Sequence, residues 1–341
     1  MTFIIRNFLT FSLISGLLVF PLKAQDAPKG DEKVLHVVGT AHFDTQWRWT
    51  IQTSINEYIP STFNGNFKLF EKYPDYKFSF EGAIKYMLMK EYYPEAWQRM
   101  KEYIAAGRWN ICGSSLDATD VNIPSPESVI RTILIGQDYY KREFGIKSYD
   151  IFLPDCFGFG YALPTIMTHC GLKGFSTQKL TWGAPFGVPF DIGTWQGVDG
   201  SKVFAALNGG SYGAKLRGDL SRDPKWMETV EKMGQKSGIY KGYRYFGTGD
   251  IGGAPEDSSV FYLEKAIHSD GPLKVISAPA DLPSCGMQFG TVQLHPDGSL
   301  IAMGPDHPVT GGYLQPFTVR WDERWKLAQL SPGERVTFTF E

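Results

Sequence analysis

Between residues 34 and 177 the chain repeats one pattern. A short apolar run is followed by a polar loop and then by an amphipathic segment. The apolar runs are Val34–Val38, Tyr76–Phe80, Trp109–Cys112, Ser148–Leu153 and Gly174–Thr177. Runs of this length, rich in β-branched and aromatic residues, read as buried strands. The stretches between them carry helical spacing. Ile55–Tyr73 is one helix. Ala83–Ala106 places Met87, Leu88, Tyr92, Trp97, Met100, Tyr103 and Ile104 on one stripe, with Pro94 interrupting it and Gly107 ending it. Glu127–Phe144 is predicted to be the next helix, with Ser125 as N-cap and Pro126 at its first position, and Tyr161–Cys170 starts another. Strand and helix in alternation restrict the chain to an α/β fold built on a parallel sheet, open or closed into a (β/α) barrel. Such folds bind ligands at the carboxyl ends of their strands. Functional residues are therefore expected in the loops that follow the apolar runs.

The first loop carries the sharpest signal. In Val34–Trp49, VLHVVGTAHFDTQWRW, the run breaks at Gly39 and Thr40, and His42 and Asp44 follow. At i and i+2 the two side chains share a direction, so both can reach one metal ion. Read alone, the pair is as readily a capped turn around a structural histidine. Asp155 ends the fourth run, in Leu153-Pro154-Asp155-Cys156-Phe157-Gly158. Alone it would be a turn-forming aspartate. Asp117, Asp120 and Asn122 lie in the polar loop after Trp109–Cys112. Asp250 lies in the glycine-rich turn Gly247–Pro255, where the absence of side chains lets backbone approach a ligand closely.

Composition narrows the classes. The 34 basic and 36 acidic residues give a net charge of −2, which offers no electrostatic footprint for nucleic acid or an anionic membrane surface. Nine Trp and seventeen Tyr suit stacking on sugar rings, and equally a large aromatic core. Cys112, Cys156, Cys170 and Cys285 show no C-x-x-C spacing, so buried thiols are expected rather than a disulfide framework or zinc ribbon. Residues 1–25 have the form of a signal peptide: Arg6, the apolar Phe8–Phe20, and Leu22-Lys23-Ala24 before Gln25. That apolar run is short for a membrane span, and no later stretch is apolar enough for one. A periplasmic or secreted protein is expected, free of the membrane after cleavage, with residues 26–33 as a linker.

Four segments together carry a resemblance. AHFDTQWRW, SSLDATDVNIPSPESVIR, FLPDCFGFGYALPTI and YFGTGDIGGAPEDSSV resemble, in order, motifs of glycoside hydrolase family 38, the α-mannosidases. TWGAPFGVPFDIGTWQGVDGSKVFAALNGGSYG matches the region between the last two. The resemblance covers residues 34–282. It implies an α/β catalytic domain that hydrolyses mannose-containing oligosaccharides with retention and depends on Zn2+. It implies His42, Asp44 and Asp155 as zinc ligands, Asp155 also as nucleophile, and Trp47, Asp120 and Asn122 facing the sugar. A retaining glycosidase needs a second carboxylate as acid/base. Asp250 is the candidate, with Asp117 and Asp120 as competitors. Family members are longer, adding a helical bundle and β-domains, and take a fourth zinc ligand from a His-Asp segment that matches nothing around His268, His295 or His307. The resemblance thus describes a truncated domain.

From about Leu282 the text changes character. It becomes short strands with Pro-Asp-Gly and Thr-Gly-Gly turns, an all-β segment over 283–341. DHPVTGGY and AQLSPGERVTF resemble the end of the biotin-dependent carboxyltransferase-type domain found in 5-oxoprolinase and allophanate hydrolase. Thr310, Gly311, Gly312 and Tyr313 match its turn, while most of that family's site would lie upstream. Two further readings stay open. One is a metal-dependent polysaccharide deacetylase in which His42 and Asp44 hold the metal and water attacks. The other is a sugar-binding remnant without turnover.

Overall fold

The computed structural model describes residues 33–280, apart from 183–186 and 238–239, together with strands at 2–6, 285–286, 291–294, 300–302, 310–311, 314–319 and 337–340. The chain forms two compact units, residues 31–282 and residues 1–30 with 283–341. The first strand, β1 (Thr2–Arg6), belongs to the second of these.

The unit 31–282 runs β2 (Val34–Ala41), α1 (Ile51–Thr53), a π-helical turn (Ser54–Tyr58), α2 (Ile59–Lys72), β3 (Phe78–Glu81), α3 (Ala83–Tyr92), α4 (Pro94–Ala105), β4 (Trp109–Cys112), α5 (Pro126–Phe144), β5 (Asp150–Phe152), α6 (Leu163–His169), β6 (Gly174–Ser176), β7 (Ile192–Gln196), β8 (Lys202–Ala206), α7 (Pro224–Ser237), β9 (Lys241–Thr248), α8 (Asp257–Ile267) and β10 (Lys274–Ser277). Local chemistry sets the boundaries. Pro94 divides α3 from α4, as its missing N–H requires. The Ser125 hydroxyl caps α5 by accepting from the Ser128 N–H, and Gly145 ends that helix in the left-handed region at φ 71°. The helix expected from Ile55 begins earlier, at Ile51, because Thr50 caps it.

The strands close on themselves. β2 pairs in parallel with β9 along all eight residues. Its opposite edge is shared, the first half pairing with β10 and Gly39–Thr40 with β3. β3 and β4 are parallel. The path crosses to β5 where the Ser114 N–H donates to the Asp150 carbonyl at 2.9 Å. It continues in parallel through β6 and β8. It returns where the Tyr245 N–H of β9 donates to the Gly209 carbonyl at 2.7 Å. Of the two expected forms, open sheet or barrel, the hydrogen-bonded path is that of a barrel. β7 is the exception to parallel order, lying antiparallel on β8.

Alternation along the strands sorts the core. Val38, Cys112, Phe152, Ala206, Tyr243 and Tyr245 form one buried cluster contributed by five strands, the filled interior. Leu35, Val37, Ala41 and Phe43 face the other way, into a larger aromatic cluster with α2, α3, α4, α7 and α8. Burying a large aromatic there contributes roughly 2–3 kcal/mol from transfer alone. Two of its polar tips are matched in sequence: Trp109 Nε1 donates to the Tyr86 hydroxyl at 3.0 Å, and that hydroxyl donates to the Phe80 carbonyl at 2.8 Å. A third cluster packs α5 and α6 on β5, β6 and β8.

His36 of β2 makes the unit acid-sensitive. Burial, and next the charge of Lys241, hold its pKa down at about 4. The unfolded chain takes up a proton near pH 6.5 that the folded chain refuses. The contribution is therefore complete above pH 6.5 and lost as pH falls toward 4, up to about 3 kcal/mol. A His36→Leu variant is expected to show a flatter dependence of urea midpoint on pH between 6.5 and 4. A slope equal to that of the parent would contradict this.

In the other unit β1 lies between β15 (Leu314–Val319), antiparallel, and β16 (Thr337–Phe340), parallel. β12 (Thr291–Leu294) joins β13 (Leu300–Ala302) to β15, and β11 (Cys285–Gly286) pairs with β14 (Thr310–Gly311). The described tail is all-β, as its turn chemistry implies. The apolar stretch Phe8–Phe20, the linker 26–33 up to residue 32, the Pro-Asp-Gly turn, Gly312, Tyr313, His295 and His307 lie outside the described residues. No helix among the described residues is long and apolar enough to cross a membrane.

Candidate active site

The inward face of β2 runs on past its end. Phe43 stays in the outer cluster, so His42 and Asp44 point with Val38 toward the interior. The segment is then tied to the end of β9. The His42 N–H donates to the Thr248 carbonyl at 3.1 Å, the Asp44 N–H to the Asp250 carbonyl at 2.9 Å, and the Gly252 N–H to the His42 carbonyl at 3.1 Å. Asp250 has φ 63°, alone among described non-glycine residues in lying at positive φ. Aspartate tolerates that conformation better than most residues, and such strain persists only where surrounding bonds enforce it.

The loops after β2, β5, β6, β8 and β9 converge here. His42 is 2% exposed. Its Nε2 stands 3.4 Å from Asp44 Oδ1 and 3.5 Å from Asp155 Oδ2, and its Nδ1 is 3.7 Å from Glu81 Oε1. Neither ring nitrogen closes a hydrogen bond. Ligand atoms of His42, Asp44 and Asp250 lie within 4.8 Å of one another. The Tyr212 hydroxyl lies 3.1 Å from Asp155 Oδ2 and 3.2 Å from Asp250 Oδ1. Lys179, after β6, forms an ion pair with the other Asp155 oxygen. Behind His42 the buried Glu81 is bonded to Lys85, whose Nζ is 3.5 Å from Asp117 Oδ1; the Thr45 hydroxyl donates to Asp117 Oδ2 at 2.6 Å.

The electrostatics follow from burial among charges. At His42 burial opposes a proton, but Asp44 and Glu81 outweigh it and raise the pKa to about 9. At Glu81 burial favours the neutral acid, yet Lys85 and His42 keep the carboxyl below its ordinary value. Burial, then the charges of Asp155 and Asp250, push the Tyr212 phenol far above its ordinary range. It therefore stays a donor at neutral pH, with one proton between two carboxylates.

These residues fit a divalent cation. A buried imidazole nitrogen without a hydrogen bond faces carboxylates inside chelating range, a field that favours positive charge, and an N/O donor set of this kind suits zinc. His42 and Asp44 would hold it, with Asp155 or Asp250 as the third donor. Asp250, expected as acid/base, thus also stands among the possible metal donors.

The remaining expected residues are placed differently. Trp47 is 54% exposed, with the Arg48 guanidinium 4.2 Å over its ring. Trp49 donates from Nε1 to the Ser54 hydroxyl at 2.9 Å and serves the fold. Asp120 accepts the backbone N–H groups of Asn122 and Ile123 at 2.7 and 3.0 Å. Asn122 lies against the turn after Asp155, where a Cβ on Gly158 would meet its Nδ2 at 2.8 Å. Among the described residues no hydrogen bond or ion pair joins Asp120 or Asn122 to His42, Asp44, Asp155 or Asp250. His268 pairs with Asp75 at 2.7 Å, outside this group. Sequence reasoning missed Glu81, Lys85, Lys179 and Tyr212. Glu81 and Lys179 had a signal, since each follows an apolar run; Tyr212 had none.

A barrel of mostly parallel strands with an imidazole and carboxylates gathered at its carboxyl end defines an α/β-barrel protein with an acid-lined polar site. The chain belongs to a known family of that type: the glycosyl hydrolases family 38 N-terminal domain matches residues 32–275. It is 31% identical to Alpha-mannosidase 2C1 of Homo sapiens over 253 residues, 74% of this chain and 24% of that protein. It is 37% identical to Alpha-mannosidase G of Dictyostelium discoideum over 166 residues, 49% of this chain and 15% of that one. The chain thus spans about a quarter or less of the curated relatives it matches. Its fold is similar to an alpha-mannosidase from Enterococcus faecalis V583, with TM-score 0.58 and 18% identity over 73% of this chain and 28% of that one. A second family, the carboxyltransferase domain, subdomain A and B, matches residues 254–340. Of that range α8 and β10 are part of the barrel unit.

Proposed function

We propose that this chain is a zinc-dependent, retaining α-mannosidase acting on mannose-containing glycans. The observation that carries the reading is the convergence of His42, Asp44, Asp155 and Asp250 at one mouth. Asp155 attacks the anomeric carbon and forms a covalent glycosyl-enzyme, which water then hydrolyses. Lys179 and the Tyr212 hydroxyl hold the Asp155 carboxylate in place and offset its burial. With His42, Asp44 and Asp155 as the metal donors, Asp250 is left free to protonate the leaving oxygen and then take a proton from water. Its carboxylate shares the Tyr212 hydroxyl with Asp155, which suits the separation of roughly 5–5.5 Å in retaining enzymes. Zinc, when bound, supplies Lewis acidity and a fixed point for sugar hydroxyls. Trp47 offers an exposed ring for stacking on the sugar. Export through residues 1–25 is part of the proposal, resting on the pattern of that segment, and the N-terminus of protein recovered from cells tests it.

The test is hydrolysis of an aryl α-mannoside by purified protein, with chelator and with zinc restored. Turnover that falls on chelation and returns with zinc supports the reading. Turnover indifferent to chelator overturns the metal dependence. Acetate release from an acetylated glycan without mannoside hydrolysis would point to the deacetylase reading instead.

A further inference from the structure

We propose that Glu81 is a positioning residue that fixes which nitrogen of His42 faces the site, and that Lys85 and Asp117 hold Glu81 to that task. The inference rests on the metal-binding reading above.

Two buried atoms without hydrogen bonds face one another. Glu81 Oε1 and His42 Nδ1 are 3.7 Å apart, and no other group satisfies either. The partners are complementary only if Nδ1 carries the proton. In the neutral ring Nε2 then presents its lone pair to Asp44 and Asp155, whose oxygens are 3.4 and 3.5 Å away. A lone pair among carboxylates is repelled unless a cation lies between them. In metal sites a ligating histidine commonly donates its other N–H to a carboxylate, which sets the tautomer and orients the ring.

Glu81 is placed to do this by its own surroundings. It is the last residue of β3 and 2% exposed, and its other oxygen is bonded to Lys85, one helical turn on in α3 and 1% exposed. Lys85 in turn is 3.5 Å from Asp117, which Thr45 holds from the same loop as His42. A fully buried ion pair of this kind adds little net stability compared with an apolar pair. Orientation of the histidine gives it a use.

The test reads the tautomer of His42 from 15N shifts in metal-free protein at alkaline pH, where the ring is neutral, and zinc affinity by competition with a chromophoric chelator. In the parent the proton sits on Nδ1. In Glu81→Gln the amide oxygen turns to the Lys85 ammonium and the amide N–H groups turn to His42. The proton then moves to Nε2, and zinc affinity falls by about tenfold to a hundredfold. In Glu81→Gln/Lys85→Met the amide oxygen is free to accept from Nδ1 again, and part of the affinity returns. A merely structural glutamate would show no such recovery. An unchanged tautomer and affinity in Glu81→Gln, or a double variant no better than the single, overturns the proposal. If the single variant does not fold, Glu81→Gln/Lys85→Met is compared with Glu81→Leu/Lys85→Met. Neither buries a charge at these positions, and only the amide holds the proton on Nδ1. A parent that binds no zinc while its tautomer still responds to Glu81 overturns the metal reading and leaves the positioning role standing.

Discussion

Replacing Asp155 by Asn is expected to lower aryl α-mannoside hydrolysis by at least about four orders of magnitude, as loss of a nucleophile does elsewhere. The substitution keeps shape and removes nucleophilicity, because an amide oxygen forms no stable ester with the anomeric carbon. It also removes the charge that Lys179 pairs with and that faces His42 Nε2. The fold should survive. Asp155 is partly open to solvent, the Asn oxygen can still accept from the Tyr212 hydroxyl, and the barrel circuit does not run through this side chain. Initial rates and thermal melts on the same preparations check both halves. A variant that melts with the parent but hydrolyses at the parental rate would remove Asp155 from the mechanism.

Gly247→Ala is expected to prevent folding or to lower stability by more than about 4 kcal/mol, a melting shift of about 10 °C or more for a unit of this size. Gly247 sits near the end of β9, paired with Thr40 of β2, at φ 148°. That conformation is closed to residues with a Cβ. An added Cβ would also fall 1.7 Å from the Thr40 carbonyl oxygen. The obstacle is backbone in the strand that carries His42, paired on both edges, so it cannot move aside. The close approach lets the β9 end lie across the β2 end and bring Asp250 to His42. Thermal unfolding followed by circular dichroism reads the cost; a melting point within 2–3 °C of the parent, on the order of 1 kcal/mol, would show that the strands can part there at little expense.

The sequence by itself determined the elements and their kind. Apolar runs, Pro94, Ser125 and Gly145 act within a few residues of where they stand, so period and caps are local information. For the same reason His42, Asp44 and Asp155 were legible: each follows a run that had to be a strand, and parallel strands present their carboxyl ends on one side. The π-helical turn and the extra turn at Thr50 were missed because they depend on hydrogen bonds no period announces. Closure of the barrel was not legible. It depends on two bonds joining residues more than thirty apart, Ser114 to Asp150 and Tyr245 to Gly209, and neither leaves a mark on the pattern of either partner. Only the tertiary structure could set Tyr212 between Asp155 and Asp250, or Glu81 and Lys85 behind His42. A buried charge becomes interpretable when its partners are known, because in a medium of low polarity the neighbours decide what it costs and what it does.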